Sequence, residues 1–274
     1  MLFATEVDAP GVAALERVVL DAERAGYAFV TFPDTPRRPG IEAGVRAAYL
    51  ARRTTRIGLA PTLHATTTEP FHLATQLASL DHASLGRAGW VVGATTAAED
   101  LATVGRTGAG DGEVADVVEV ARRLWDSWED DAIIRDVATG RFLDPRKVHH
   151  VDFEGSGFSV VGPLITPRPP QGQVVVIGSD ELTAVLDVAL DVALVRATDV
   201  AEIATRVAAA RAAGAALVFA DVPASFDPSL VEGLVDGVHF HGGPPPVITA
   251  SPHGATLRET LGLPRPLNRF AVTS

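Results

Sequence analysis

Short apolar, β-branched runs alternate along the chain with longer stretches in which Ala, Leu, Val and Arg recur at helical spacing. Eight strands are predicted in this way: Leu2–Val7, Ala28–Phe32, Arg56–Leu63, Ala88–Val92, Gln173–Ile177, Val192–Val195, Ala216–Ala220 and Gly237–Phe240. Each is followed by a predicted helix. The first runs from Pro10-Gly11 to a closing Gly26 and sets Val12, Leu15, Val19, Ala22 and Ala25 at helical spacing. The others span Ile41–Arg52, Pro70–Asp81, Glu113–Trp128, Ser179–Leu190, Val200–Ala213, Pro228–Val235 and Ala255–Leu261. Val174-Val175-Val176-Ile177 and Ala216-Leu217-Val218-Phe219 are apolar without interruption, which means burial on both faces, as in a parallel sheet. Eight strands with eight helices favour an α/β fold closed as a (β/α)8 TIM barrel in one domain spanning 1–274. Periodicity alone leaves an open sheet as the alternative.

One segment breaks the alternation. Between Asp130 and Gly172 glycines and prolines separate short alternating stretches, among them Val148–Phe153 and Gly157–Val161. This reads as a loop excursion, 130–172, containing a hairpin and inserted between the fourth helix and the fifth strand. In a barrel, such excursions decorate the active-site rim.

Charge and composition narrow the partners. With 23 Lys and Arg against 34 Asp and Glu, the net charge of -11 leaves no basic face for phosphate backbones, so neither nucleic acid nor an anionic membrane is expected. The absence of cysteine removes disulfides, zinc-thiolate sites and thiol nucleophiles. No leader-like N-terminus and no apolar run of membrane length is present, so a cytoplasmic protein is the default.

Polar groups at the C-terminal ends of predicted strands are the first site candidates, because a barrel places its chemistry there. Asp34, Thr62 and His64 qualify at the second and third strands, and His239 and His241 share one side of the eighth. His149 and His150 are adjacent, so on a strand they face opposite ways and suit a hairpin surface better than one metal ion; no metal site is expected. Trp125-Asp126-Ser127-Trp128-Glu129-Asp130-Asp131 is read as indoles packed under the excursion with solvated acids rather than as an acid/base pair. The glycine-rich stretches 108–112 and 242–246 lack a following Lys-Ser/Thr and read as loops.

Three stretches carry a resemblance. Thr55-Arg56-Ile57-Gly58-Leu59 through Glu69-Pro70-Phe71-His72-Leu73-Ala74 and on to Trp90 is the first; Leu124-Trp125-Asp126-Ser127-Trp128-Glu129 is the second; Phe158–Leu164 with Arg168-Pro169-Pro170-Gln171-Gly172 is the third. In order and spacing they resemble the bacterial-luciferase-like flavin monooxygenases, in the branch of the nitrilotriacetate, pristinamycin and dibenzothiophene-sulfone monooxygenases. Thr256–Leu263 resembles the C-terminal helix of that family. The resemblance implies a reduced FMN cofactor delivered by a flavin reductase, O2 as oxidant, a small organic substrate, and a homodimer formed through the helices after the second and third strands. Deazaflavin is a weaker cofactor alternative. Carried onto this chain, the family pattern places Gly93 and Ala94 beside the flavin and Gly178 and Ser179 at its phosphate.

The chain departs from the family pattern in several places. Val91-Val92-Gly93-Ala94 stands where the family has a polar pair, and no tyrosine follows. Asp180 and Glu181 set two acids beside the phosphate position. The long insertion between the last two strands is absent. Two readings follow: a monooxygenase with weakened flavin binding, or a non-catalytic barrel that serves as a binding or partner protein.

Overall fold

A computed structural model describes residues 1–186, 188–243, 246–247 and 254–271. β1 (Leu2–Glu6) leads through Gly11 into α1 (Val12–Ala25), whose buried Leu15, Val19 and Ala22 form its inner stripe. α1 ends where Gly26 takes the left-handed φ of 89° that a side chain disfavours. β2 (Phe29–Phe32), α2 (Ala43–Leu50), β3 (Gly58–His64), α3 (Pro70–Ser84) and β4 (Gly89–Gly93) follow. At the start of α3, Glu69 accepts from the amides of Phe71 and His72, and Pro70 occupies the first turn, where no amide is needed.

After β4 come the short α4 (Ala98–Leu101) and α5 (Glu113–Asp126), then the excursion. It holds two hairpins: β5 (Ile133–Asp136) with β6 (Arg141–Leu143), and β7 (Phe153–Glu154) with β8 (Ser159–Val160). Only the second falls where the alternation predicts one. β9 (Val175–Ser179), α6 (Asp180–Leu186), β10 (Val192–Arg196), α7 (Val200–Ala212), β11 (Leu217–Pro223), β12 (Gly237–His241) and α8 (Leu257–Thr260) complete the chain.

Eight parallel strands close in the order β1-β12-β11-β10-β9-β4-β3-β2, the (β/α)8 barrel that the alternation predicts. Several predicted helices are shortened. Residues 228–231 form a single 3-10 turn instead of a helix reaching Val235, and α8 is four residues long. The helix predicted over Ser179–Leu190 begins at Asp180; residue 187 lies outside the described residues, as do 244–245 of the 242–246 loop.

Two apolar layers hold the barrel. The larger lies between the strands and the surrounding helices. The smaller fills the barrel itself with Ala4, Phe29, Ala60, Val175, Ile177, Val192, Leu194 and Phe219, and α8 adds Leu257 and Leu261. Gly58 and Gly89 exist as glycines for this reason: a Cβ on Gly58 would stand 2.6 Å from Leu257 Cδ1, and one on Gly89 2.9 Å from the Ala60 Cβ. α8 therefore stops the N-terminal end of the barrel, and the opposite end is left as its mouth.

Buried polar groups lock the elements around the stopper. Arg87 donates to the carbonyls of Ala51, Thr54, Ile57 and Ser84 and to Thr54 Oγ1 at 2.7–3.0 Å. Asp81 accepts from the Ala88 amide (3.0 Å) and from Gln171 Nε2 (2.6 Å), which joins α3 and β4 to the end of the excursion. Arg258 of α8 pairs with Asp191 and donates to the Gln173 carbonyl. Asp126 corrects the expectation of solvated acids: it is fully buried, held by Arg168 Nη2 at 2.9 Å and Gln173 Nε2 at 2.7 Å. The two neighbouring indoles do pack as expected, Trp125 donating to the Ala74 carbonyl and Trp128 to the Leu164 carbonyl.

Arg87→Met strips five buried acceptors of their donor, and an expected loss of about 3 kcal/mol or more follows from their desolvation. Urea unfolding of the two proteins measures it; a loss below about 1 kcal/mol would contradict the account. Burial pushes the Asp81 carboxyl up to about 6, against the hydrogen bonds it accepts. Between about pH 4 and 6 folded Asp81 keeps a proton that the unfolded chain has released, so its contribution to stability declines as pH rises through that window. Asp81→Asn should therefore cost more stability at pH 4 than at pH 7, by a difference approaching about 3 kcal/mol. Urea midpoints of both proteins across this range give the sign directly.

Candidate functional site

Side chains alternate across a strand, so the residues that follow the barrel-filling ones by two positions form the next layer toward the mouth. Above Ala4, Phe29, Ala60, Val91, Ile177, Leu194 and Phe219 that layer is Glu6, Thr31, Thr62, Gly93, Ser179, Arg196 and Asp221, with His239 above Gly237 on β12. The polarity of the interior changes within one residue pair on every strand except β4, where Val91 is followed by Gly93.

On one side of the mouth the polar groups form a linked set. His239 is buried, stacks on Phe29, meets Thr31 Oγ1 through Nε2 at 2.8 Å and donates from Nδ1 to Asp221 Oδ1 at 2.7 Å. His241 donates to the same carboxylate oxygen from Nδ1 at 2.9 Å, and Arg196 Nε donates to Asp221 Oδ2 at 2.6 Å. Burial opposes the charge on Asp221, but the hydrogen bonds and charge of His239 and Arg196 outweigh it and hold the carboxyl well below the usual range. Asp221 thereby fixes which nitrogen of each imidazole carries hydrogen. Among the described residues Nε2 of His241 has no hydrogen-bond partner, and its side chain is partly exposed.

On the other side, Asp34, Thr62 and His64 come together as expected, lining a cleft of about 220 Å³ with Thr35, Thr67 and Thr68. Asp34 is spent on local structure: its carboxylate accepts the amides of Thr35 and Ala43 and so shapes the loop into α2. His64 donates from Nε2 to the Asp34 carbonyl at 3.1 Å, and its Nδ1 is buried without a partner. Gly93 makes room for this ring, since a Cβ there would stand 2.7 Å from His64 Nδ1. Ala94, just beyond β4, is exposed and brings no polar atom of its own side chain to the cleft.

Gly178 and Ser179 lie on β9, and the Ser179 hydroxyl already accepts from the Glu181 amide. Gly178 faces away from the mouth, for a Cβ on it would meet Leu182 and Leu190. The expectation of two unbalanced acids here is corrected: Asp180 is held at both oxygens by Arg206, at 2.7 and 2.9 Å, and the exposed Glu181 lies 3.5 Å from the same guanidinium. Arg196 lies on the adjoining strand, two residues beyond Leu194, the register partner of Ser179, and keeps a largely exposed guanidinium.

The residues of the mouth fit a flavin in parts. The cleft is smaller than the roughly 300–1,000 Å³ of a whole small-molecule site. Its unspent acceptor on His64 and the Thr62 hydroxyl suit a ring edge, while Ser179 and Arg196 supply a hydroxyl and a positive charge for a phosphate.

Thr31, Arg196 and Asp221 were not among the sequence candidates. Arg196 and Asp221 extend past the strand ends predicted from apolar runs, so their position at the mouth was the one available signal. His149 pairs with Glu129 and stacks on Phe270, and His150 bonds the Gly162 carbonyl, so the two do not converge. Among the described residues no cluster with metal-binding composition occurs, and no helix is long and apolar enough to cross a membrane.

Comparison with known proteins gives this geometry a family. Residues 2–229 match the luciferase-like monooxygenase family. A pristinamycin IIA synthase subunit of Streptomyces pristinaespiralis is 34% identical over 98% of this chain and 96% of its own length. N-acetyl-S-(2-succino)cysteine monooxygenase of Bacillus subtilis (strain 168) is 45% identical, over 47% of this chain and 30% of its own length. Nitrilotriacetate monooxygenase component A of Aminobacter aminovorans is 41% identical over 50% and 31%. The chain thus aligns with about a third of the length of those two monooxygenases. Among solved structures, a riboflavin lyase with modified FMN and riboflavin superposes with a TM-score of 0.72 at 25% identity, covering 82% of this chain and 63% of its own. A long-chain alkane monooxygenase gives 0.71 at 20% identity, over 81% and 63%. By family match, by an end-to-end relative and by its closed parallel barrel, the chain belongs to the luciferase-like monooxygenases.

Proposed function

We propose that this chain is an FMN-dependent oxygenase component that takes reduced flavin from a partner reductase and, with O2, oxidises a small organic substrate at the barrel mouth. The observation that carries this reading is the buried, unpartnered Nδ1 of His64 in a cleft at the C-terminal ends of β2 and β3, made possible by Gly93. Thr62 and His64 would hold the ring system, and Ser179 with Arg196 the phosphate. When bound, reduced flavin supplies the electrons with which oxygen is activated, chemistry that belongs to the cofactor. The protein positions and protects. Phe29 and Phe219 floor the mouth with apolar surface that keeps water out from below. His241, oriented through Nδ1 by Asp221, has Nε2 free to take or return a proton during turnover.

A second reading is favoured by one observation. The relative matched end to end is named as a subunit of a synthase, whereas the two monooxygenases align over about a third of their length. In that reading the chain is a partner protein that completes an assembly through its outer helices and need not carry flavin itself. The surface concerned is the same in both readings. α2 and α3 border an apolar cleft of about 270 Å³ lined by Val45, Ala48, Leu77 and Leu80, and Val45 is 55% exposed. In the first reading this face joins two copies as a homodimer; in the second it receives a different family member.

Equilibrium dialysis of the purified protein against FMN tests the first reading, and His64→Ala should weaken uptake about tenfold, the equivalent of one lost hydrogen bond. His241→Ala should lower product formed per NADH in a reductase-coupled assay about a hundredfold while FMN uptake is retained. Absence of FMN uptake by the wild-type chain transfers the weight to the partner reading. Light scattering at micromolar concentration should give a dimer that Val45→Asp converts to a monomer, since a buried unpaired carboxylate opposes the contact. A wild-type monomer removes the homodimer.

A further inference from the structure

We propose that this chain binds a small aliphatic oxyanion in a cleft beside the Thr62/His64 cleft, with which it shares Arg38 and Gly40, between the N-terminus of α1 and the loop that joins β2 to α2, with Arg46 and Arg38 meeting its charge. At about 440 Å³ the cleft is twice the size of the one at Thr62 and His64, and it lies within the range of small-molecule sites. It belongs to the rim over β1 and β2, three to four strands around the barrel from the Ser179 end of β9.

Arg46 gives the reason to expect a ligand. Its side chain is 7% exposed, and among the described residues its Nε, sealed from solvent, has no hydrogen-bond partner. Its Nη2 donates to the Pro33 carbonyl, and Asp34 lies 3.9 Å away, too far for a hydrogen bond. Arg87 is about as buried and spends its donors on five acceptors. A guanidinium taken out of water with donors left over is costly unless an acceptor arrives. Burial depresses the basicity of Arg46 first of all; Asp34, Asp8 and Glu42 oppose that shift and the charge of Arg38 adds to it.

The opposite wall supplies a second set of unspent donors. α1 is 14 residues long, its N-cap is Gly11 without any side-chain cap, and its first turn contains no acid. The first amides of a helix have no acceptor within it, and they carry the positive end of its dipole. Gly11 at φ 80° has nothing within 4 Å of where a Cβ would be, so no neighbouring group crowds the N-cap on that side. The remaining lining sets the ligand class. Pro10, Val12, Leu15, Pro39 and Ile41 form apolar walls, which suit an alkyl body. Asp8, half-exposed at the rim and paired with Arg38, disfavours a densely charged anion and leaves room for one anionic head.

Titration calorimetry of the flavin-free protein with hexanoate, hexyl phosphate and hexanamide tests the site without reference to oxygenase activity. At least one of the two oxyanions should bind with a dissociation constant of about 1 mM or tighter. Whichever of the two is tighter identifies the head group as carboxylate or phosphate. Hexanamide, the same alkyl chain without the charge, should bind at least about tenfold more weakly. Arg46→Met should lose the oxyanion about tenfold or more. Because that buried change can also disturb folding, Val12→Asp is the second variant: its carboxylate at the start of α1 favours the helix and fills the cleft with negative charge. It should unfold at or above the wild-type temperature and lose the oxyanion by about tenfold or more. No binding of either oxyanion, equal binding of hexanamide, or undiminished binding by Val12→Asp overturns the proposal.

Discussion

The interior of a closed eight-stranded barrel must be filled, and the way this chain fills it decides where chemistry can occur. Phe29 and Phe219, 5.6 Å apart between ring centres, occupy the middle, and Leu257 and Leu261 from α8 occupy the N-terminal end. No inward-facing polar group can be accommodated at those levels without an unsatisfied buried atom. The next residue on the same face of each strand emerges at the mouth, and there the chain sets Thr31, Thr62, Ser179, Arg196, Asp221, His239 and His241. Hydrophobic filling and the polar site are thus two consequences of one alternation.

The stopper has to be held in place for this to work. Arg258 fastens α8 to Asp191 and the Gln173 carbonyl, and Gln171 joins the end of the excursion to Asp81 and Ala88. Arg168 anchors the same stretch to Asp126. The long excursion is therefore no free loop: its C-terminal part is a buried polar seam between α3, α5 and the last helix. Such a seam is costly to break and specific in its partners, which suits a segment that must return the chain to the barrel in one register.

At the mouth the two halves differ in kind. On the β10–β12 side one carboxylate, Asp221, serves two imidazoles and a guanidinium. On the β2–β4 side His64 Nδ1, and on the neighbouring α2 Arg46 Nε, are buried without a hydrogen-bond partner among the described residues.

The amino-acid order by itself determined the alternation of strands and helices, the count of eight, the acidic surface and the family resemblance in the Trp125–Glu129 and Arg168–Gly172 stretches. These are local: period, run length and motif spacing are properties of neighbours along the chain. His64, Thr62 and the His239/His241 pair were legible because strand ends in a barrel converge on one mouth. Only tertiary structure decided that Asp126 is buried on Arg168, that Arg206 neutralises Asp180, and that Asp221 joins His239 to Arg196. These partners stand 18 to 42 positions apart, on elements that meet only when they pack against one another. The helices predicted at 228–235 and 255–261 shrank for a related reason: once packed against closed strands, a short turn met the backbone's hydrogen-bonding needs, and only packing could show that the rest of each helix was unnecessary.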